Sequence, residues 1–354
     1  MAYTTIKKPS DYFNTVLYTG TGAEQSISSL DFSPDLTWIK NRDTIDWHRL
    51  LDSVRGATKE LYSNSANTED TQAQSLKSFD SNGFTLGTLA EVNTSGENYA
   101  SWSWRGSDSS AVSNTDGSIT STVSANTTSG FSIVSYTGNG SGSATVGHGL
   151  GVIPSMVIIK ARTAGSANGF WYVKHKSLSS NYNINLNTTS ASSDVTSVSQ
   201  GGIGDLDNAN TFDFASGTSG ITTVNASGTD FIAYCFAEKQ GYSKFGSYTG
   251  NGNSDGTFIY TGFKPAFVIY KRTNSTGSWL MYDNKRDSYN VVNLGLAPDL
   301  SNAEDVTTND EHDFLSNGIK MRNTGGGINA SGGTYIYMAF ADEPLVGDNP
   351  ATAR

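Results

Sequence analysis

Tyr136-Thr137-Gly138-Asn139-Gly140 recurs unchanged at Tyr248-Thr249-Gly250-Asn251-Gly252, and in weaker form at Tyr18-Thr19-Gly20-Thr21-Gly22. Downstream of each copy a proline opens an apolar run that ends in basic residues. These runs are PDLTWIKNR (34–42), PSMVIIKAR (154–162) and PAFVIYKR (265–272). A tryptophan follows at Trp47, Trp171 and Trp279. Further on stand Asn93-Thr94-Ser95-Gly96, Asn225-Ala226-Ser227-Gly228 and Asn329-Ala330-Ser331-Gly332. Six residues after each Asn comes an aromatic: Tyr99, Phe231 or Tyr335. Landmarks kept in order three times mark an internal repeat. Its period of about 110 residues is too long for a solenoid unit of roughly 20–50 and suits a unit with its own core.

Within each copy the pattern is that of strands. FIAYCFA (231–237) and YIYMAFA (335–341) are apolar on both alternating faces, as in strands covered on both sides. Ile119, Ser121, Val123 and Ala125 alternate with Thr120, Thr122 and Ser124. Asn126 to Gly130 then turns into Phe131, so a hairpin is expected. One stretch, His48 to Leu61, has leucines near helical spacing. The expected fold is all-β: three tandem β-sandwich, jelly-roll-like domains over 1–105, 118–238 and 239–345. A flexible linker, GSDSSAVSNTDG, covers 106–117, and a polar tail covers 346–354.

Composition supports this class. Ser, Thr, Gly and Asn make up 155 of the 354 residues, while charged residues are 16%, so small polar groups carry the solubility. The net charge of −10 argues against a phosphate-backbone binder, and no nucleic-acid partner is expected. No apolar run approaches the roughly 18–20 residues that span a bilayer, so membrane insertion is not expected. Lys7 and Lys8 are not followed by an apolar core, so no signal peptide is expected. Cys235 is the one cysteine, which excludes intrachain disulfides and Cys-rich zinc sites.

Reactive constellations are hard to find. His48, His148, His175 and His312 show no zinc-pair spacing. Asp70, Asp194 and Asp305 recur at equivalent places, and read better as turn-capping residues than as calcium ligands. Asp52 and Asp283 recur after their tryptophans as a glycosidase pair would, but copy two has His175 there. Cys235 lies inside an apolar strand, where a thiol behaves as a small hydrophobe. No catalytic residue, metal or cofactor is expected.

Two features rise above this background. Segments 34–62, 154–178 and 265–287 hold 13 of the 23 basic residues, with Arg42, Arg162 and Arg272 closing the three apolar runs. Such residues either protect a strand edge and pair with acidic loops, or meet an anionic glycan or acidic partner. Trp47, Trp171 and Trp279 are either core plugs or platforms for a sugar ring. His148, in a turn before Pro154, is either packed or a ligand contact.

GSITSTVSANTTSGFSIVSYTGNG (117–140), VGHGLGVIPSMVIIKAR (146–162) and the later NASG with FIAYCFAE resemble tandem-repeat proteins of marine and cyanobacterial tailed phages. KPSDYFNTVLYTGTG (8–22) and FGSYTGNG (245–252) are similar to the same family. The resemblance implies a virion component made in the host cytoplasm, a tail-fibre or host-adhesion part without catalysis. Its partners would be other virion proteins and host surface polysaccharide, and a homotrimer is expected. The alternatives are a capsid-decoration or neck/tail appendage protein and, less favoured, a polysaccharide depolymerase.

Overall fold

Alternation along the strands settles the architecture. The computed structural model describes residues 3–163, 169–306, 309–346 and 350. Unit 1 runs through β1 (Phe13–Thr19), β2 (Gln25–Ile27), β3 (Leu36–Asn41), β4 (Arg49–Asp52), β5 (Lys59–Tyr62), β6 (Asp70–Thr71), β7 (Leu76–Asp80), β8 (Gly83–Leu86) and β9 (Asn98–Trp104). Its main sheet has the order β1-β9-β3-β4-β5-β6, and β2-β8-β7 forms a second sheet.

Unit 2 contributes β10 (Val112–Asn114), β11 (Ser121–Asn126), β12 (Phe131–Thr137), β13 (Thr145–Gly147), β14 (Met156–Ala161), β15 (Trp171–His175), β16 (Tyr182–Asn185), β17 (Ser193–Asp194), β18 (Gly202–Ile203), β19 (Thr211–Ala215) and β20 (Asp230–Phe236). The order β12-β20-β14-β15-β16-β17 repeats that of unit 1, with β11 and β10 added beside β12, and β13-β19-β18 is the second sheet. Unit 3 contributes β21 (Ser243–Thr249), β22 (Phe258–Tyr260), β23 (Phe263–Arg272), β24 (Leu280–Asp283), β25 (Leu294–Gly295), β26 (Asp305–Val306), β27 (His312–Leu315), β28 (Gly318–Met321) and β29 (Thr334–Pro344). Here β21-β29-β23-β24 is continued by a Met281–Leu296 bridge towards the β25–β26 pair, and β22-β28-β27 is the second sheet.

The repeated motif fastens one end of each unit. Tyr18, Tyr136 and Tyr248 stand opposite Tyr99, Phe231 and Tyr335 across the β1–β9, β12–β20 and β21–β29 pairs. The rings stack at 5.0, 5.2 and 4.9 Å. The tyrosine hydroxyls donate to the carbonyls of Val92, Val224 and Ile328, each just before the motif Asn. Asn93, Asn225 and Asn329 accept from the backbone N–H of Thr21, Asn139 and Asn251. All three asparagines are fully buried. Gly138 is required because a Cβ there would lie 2.3 Å from the Ala226 carbonyl oxygen.

Two expectations change. His48 to Leu61 is not helical: it forms the β4–β5 hairpin, in which Leu50 pairs with Leu61 and Gly56 sits at φ +103° in the turn. Residues 106–117 contain β10, which pairs with β11, and the Gly106 N–H is held by Asp35. Small polar composition marks loops, but an edge strand can share it.

Period-two alternation sends one face of each main sheet into its own unit and the other face into a common core. Ile39 and Leu51 belong to a cluster within unit 1 with Phe84, Leu86 and Val92. Their neighbours Trp38 and Leu50 face the other way. They join Met156 and Ile158 of unit 2 and Phe267 and Ile269 of unit 3 in one cluster. At its centre Trp104, Phe236 and Phe340, at equivalent positions of β9, β20 and β29, lie 6.3, 6.2 and 5.8 Å apart. Aromatic pairs at such distances add about 0.5–1.5 kcal/mol each beyond area burial.

Candidate functional site

The residues singled out by sequence lie largely on the seams between units. β14 pairs Lys160 with Trp171, whose indole N–H donates to the Tyr62 carbonyl of unit 1 at 2.8 Å. Trp279 of unit 3 donates to the Asn185 carbonyl of unit 2 at 2.9 Å. Counting back four residues from Asp52, His175 and Asp283 on their strands gives His48, Trp171 and Trp279. His48 is therefore the unit 1 counterpart, not Trp47. Its Nδ1 accepts from the Trp38 indole N–H at 2.9 Å, and the contact of unit 1 with unit 3 is made beside it, where the Asp46 N–H donates to the Ser301 carbonyl at 2.9 Å and the Ser63 hydroxyl to the Pro298 carbonyl at 2.7 Å. Unit 2 thus grips unit 1, unit 3 grips unit 2, and unit 1 grips unit 3. Head-to-tail contacts that close after three make a ring.

Lys40, Lys160 and Lys271 precede these positions and are buried to within 1% exposure. Lys160 donates to the carbonyls of Ala66, across the seam at 3.0 Å, and Gly169. Lys271 donates to Thr189 across the seam at 3.1 Å and to Gly277 at 2.6 Å. Lys40 donates to Asn41 and Thr44 of its own unit. Burial pushes the three ammonium groups down to about 8, 7 and 8 for Lys40, Lys160 and Lys271.

Two residues beyond the lysine, Arg42 pairs with Glu304 at 2.7 Å and Arg162 with Glu69 at 2.8 Å, each across a seam. The Glu304 and Glu69 N–H groups also donate to the Arg42 and Arg162 carbonyls. Arg272 does not join them. The third apolar run is one residue shorter, so Thr273 holds the arginine place and Ser192 the glutamate place. There the Ser192 N–H donates to the Thr273 carbonyl at 3.0 Å. The Arg272 guanidinium instead meets Asn274 at 3.1 Å. Of the two readings of the basic residues, Arg42 and Arg162 follow the one in which they pair with acidic loops.

Asp52 and Asp283 are seam residues too. Asp52 pairs with Arg55 at 2.5 Å, both side chains fully buried, and accepts from the Tyr234 hydroxyl of unit 2 at 2.8 Å. Asp283 pairs with Arg286 at 2.5 Å and accepts from the Trp102 indole N–H of unit 1 at 3.0 Å. In unit 2 these places hold His175 and Leu178. His175 Nε2 donates to the Tyr337 carbonyl of unit 3 at 3.2 Å, and burial pushes its pKa down to about 3.

Trp171 and Trp279 are buried, whereas Trp47 is 39% exposed. It is one residue out of register with its supposed partners, and on a strand one residue turns a side chain to the other face. Its ring meets Tyr62 edge-on at 4.9 Å, in a cleft of about 380 Å³ that also exposes Asp46, Arg49, Asp70, Gln72 and Glu91. His148 is buried, accepts from the Leu150 N–H at 3.2 Å, and is pushed by burial to about 4. Burial raises the Cys235 thiol to about 12. Asp70 and Asp194 accept from the N–H groups of Thr71 and Thr196 as turn caps do. Among the described residues, no group of three or more His, Cys, Asp and Glu side chains is placed to hold a metal ion. Among them, too, no helix is long and apolar enough to cross a membrane.

A family model described as Domain of unknown function (DUF7483) matches residues 8–344. The chain belongs to the DUF7483 family. No curated protein and no solved structure matches it. The DUF7483 match ends at the last residue of β29, so it takes in all three units and all three seams.

Sequence reasoning missed the acidic and aromatic sides of the DUF7483 seams: Glu69, Glu304, Tyr234 and Trp102. The register was nonetheless readable. Aligning Asp52 with Asp283 places His48 on Trp279, and the shorter third run, eight residues against nine, displaces Arg272 from Arg42 and Arg162.

Proposed function

We propose that this DUF7483 chain is a non-catalytic structural part of a tailed-phage particle, a fibre or host-attachment component. The phage assignment rests on the sequence resemblance. The closed ring is the observation that supports a structural role. Side chains with chemical potential, such as Asp52, Asp283, Lys160 and all four histidines, are buried among protein groups. What remains outside is a set of loops on a stiff frame, the arrangement in which recognition is carried by loops. The three-fold arrangement lies within one chain, so this reading needs no homotrimer to supply it.

The test is competition for attachment. Purified chain added to host cells should reduce adsorption of the cognate particle in a dose-dependent way and release no reducing ends from host polysaccharide. Unchanged adsorption would remove the attachment reading. Sedimentation of the chain with tail-less heads would favour decoration, and release of reducing ends would favour a depolymerase.

A further inference from the structure

The three units share their seams, yet one of them carries an open aromatic cleft. Trp47 has Phe170 and Ser278 at its counterpart positions, and Tyr62 has Asn185 and Ala297 at its own. The Trp47–Tyr62 pair is thus particular to unit 1. Of the six tryptophans, Trp38, Trp102, Trp104, Trp171 and Trp279 are at most 3% exposed, while Trp47 is 39% exposed and its neighbour Ile45 77%. Leaving an indole in water forfeits the stabilisation of burial, and nothing in the ring requires it, since the seam beside it is made by the Asp46 N–H and the Ser301 carbonyl.

The walls of the cleft are ordered. The Arg49 guanidinium lies 5.5 Å from the centre of the Tyr62 ring and is held by Asp46 at 3.1 Å and Glu60 at 3.2 Å. Gln72 is fixed on Asp70 at 2.7 Å. Ser301 of unit 3 closes one side, its carbonyl accepting from the Asp46 N–H at 2.9 Å. The volume of about 380 Å³ lies within the range of small-ligand sites, roughly 300–1,000 Å³.

From this geometry we infer that the Trp47 cleft binds a saccharide ring that carries no acidic group. This rests on the attachment reading and names the ligand class of that function. The indole face offers an apolar platform for the C–H face of a pyranose. Carboxylate oxygens of Asp46 and Glu91 are acceptors for ring hydroxyls, while both oxygens of Asp70 already accept, from the Thr71 N–H and from the Gln72 amide, whose own oxygen can accept. With Asp46, Asp70 and Glu91 against Arg49, the lining is net negative, which repels uronate or sulfate and admits neutral or amino sugars. An anionic glycan, one of the alternatives raised by the basic residues, is the wrong class for this cleft.

Tryptophan emission and titration calorimetry on the full chain test it. The probes are neutral oligosaccharides of glucose, galactose, mannose and N-acetylglucosamine, with polygalacturonate and heparin as anionic comparisons. At least one neutral sugar should bind saturably and shift emission of the exposed indole. Trp47→Ala should weaken that binding by about tenfold or more, with an unchanged thermal midpoint. Polygalacturonate and heparin should not compete. Failure of every neutral sugar at about 10 mM, or binding retained in Trp47→Ala, would overturn the site. Adsorption separates the two readings. If Trp47→Ala still blocks attachment as wild type does, the site is wrong and the attachment reading stands. If wild type binds sugar but never blocks attachment, the site stands and the attachment reading falls.

Discussion

The seams that join unit 2 to unit 1 and unit 1 to unit 3 carry arginine–carboxylate pairs, and the seam that joins unit 3 to unit 2 carries none of that kind: its charges are the buried Lys271 ammonium on the Thr189 carbonyl and a partly exposed Lys244–Glu238 pair at 2.6 Å. The first two have Arg162–Glu69 with Asp52–Arg55, and Arg42–Glu304 with Asp283–Arg286. The third has Thr273 facing Ser192, and His175 facing a carbonyl. The backbone hydrogen bond from the residue at the Glu69 place survives in all three. Arginine–carboxylate pairs are therefore not needed to form a seam. Buried pairs are weak net stabilisers but costly to break, because the partner left behind is an unpaired charge.

That contrast can be broken in descending order of effect. Asp52→Ala takes the close carboxylate from the fully buried Arg55, leaving Glu69 at 3.5 Å, and should cost about 3–5 kcal/mol in denaturant titrations, while Asp283→Ala should cost less because Arg286 keeps Glu304 at 2.9 Å. His175→Leu on the third seam removes the partner of the Tyr337 carbonyl and of the Ser177 N–H but strands no charge, and should cost about 1–3 kcal/mol. Equal losses on the two kinds of seam would remove the distinction.

The buried lysines set a pH dependence. Their folded pKa values lie below the unfolded value, so the unfolded chain binds more protons between about pH 7 and 10. Stability should therefore rise as pH increases from 7 to about 9.5, by up to ~1.4 kcal/mol per pH unit for each lysine. Thermal midpoints of wild type and Lys160→Met at pH 7 and 9.5 check this, and the variant should show the smaller rise. The smallest effect is expected from adding charge where it is missing. Ser192→Glu with Thr273→Arg should change stability by less than about 1 kcal/mol.

Much of this could be read from the residues, and the limits have physical causes. The all-β class followed from alternation and composition, and the motif Tyr, Gly and Asn marked the turns they hold. Trp47 was harder because a tryptophan lies next to a histidine, and identity outweighed register; Asp52 four residues on carries the correct frame. Lys40, Lys160 and Lys271 read as surface charge because lysine is seldom buried without an acidic partner. The meeting of units supplies the Ala66 and Thr189 carbonyls to Lys160 and Lys271, while Lys40 is received by carbonyls of its own unit. Ring closure joins residues as distant as Arg42 and Glu304, and no local pattern encodes that contact.

Three units that share one core cannot melt apart. Differential scanning calorimetry of the full chain tests it directly. A single transition with equal calorimetric and van't Hoff enthalpies is expected, with near-ultraviolet circular dichroism of the buried tryptophans changing at the same temperature. Two or three separable transitions, each matching an isolated unit, would contradict it.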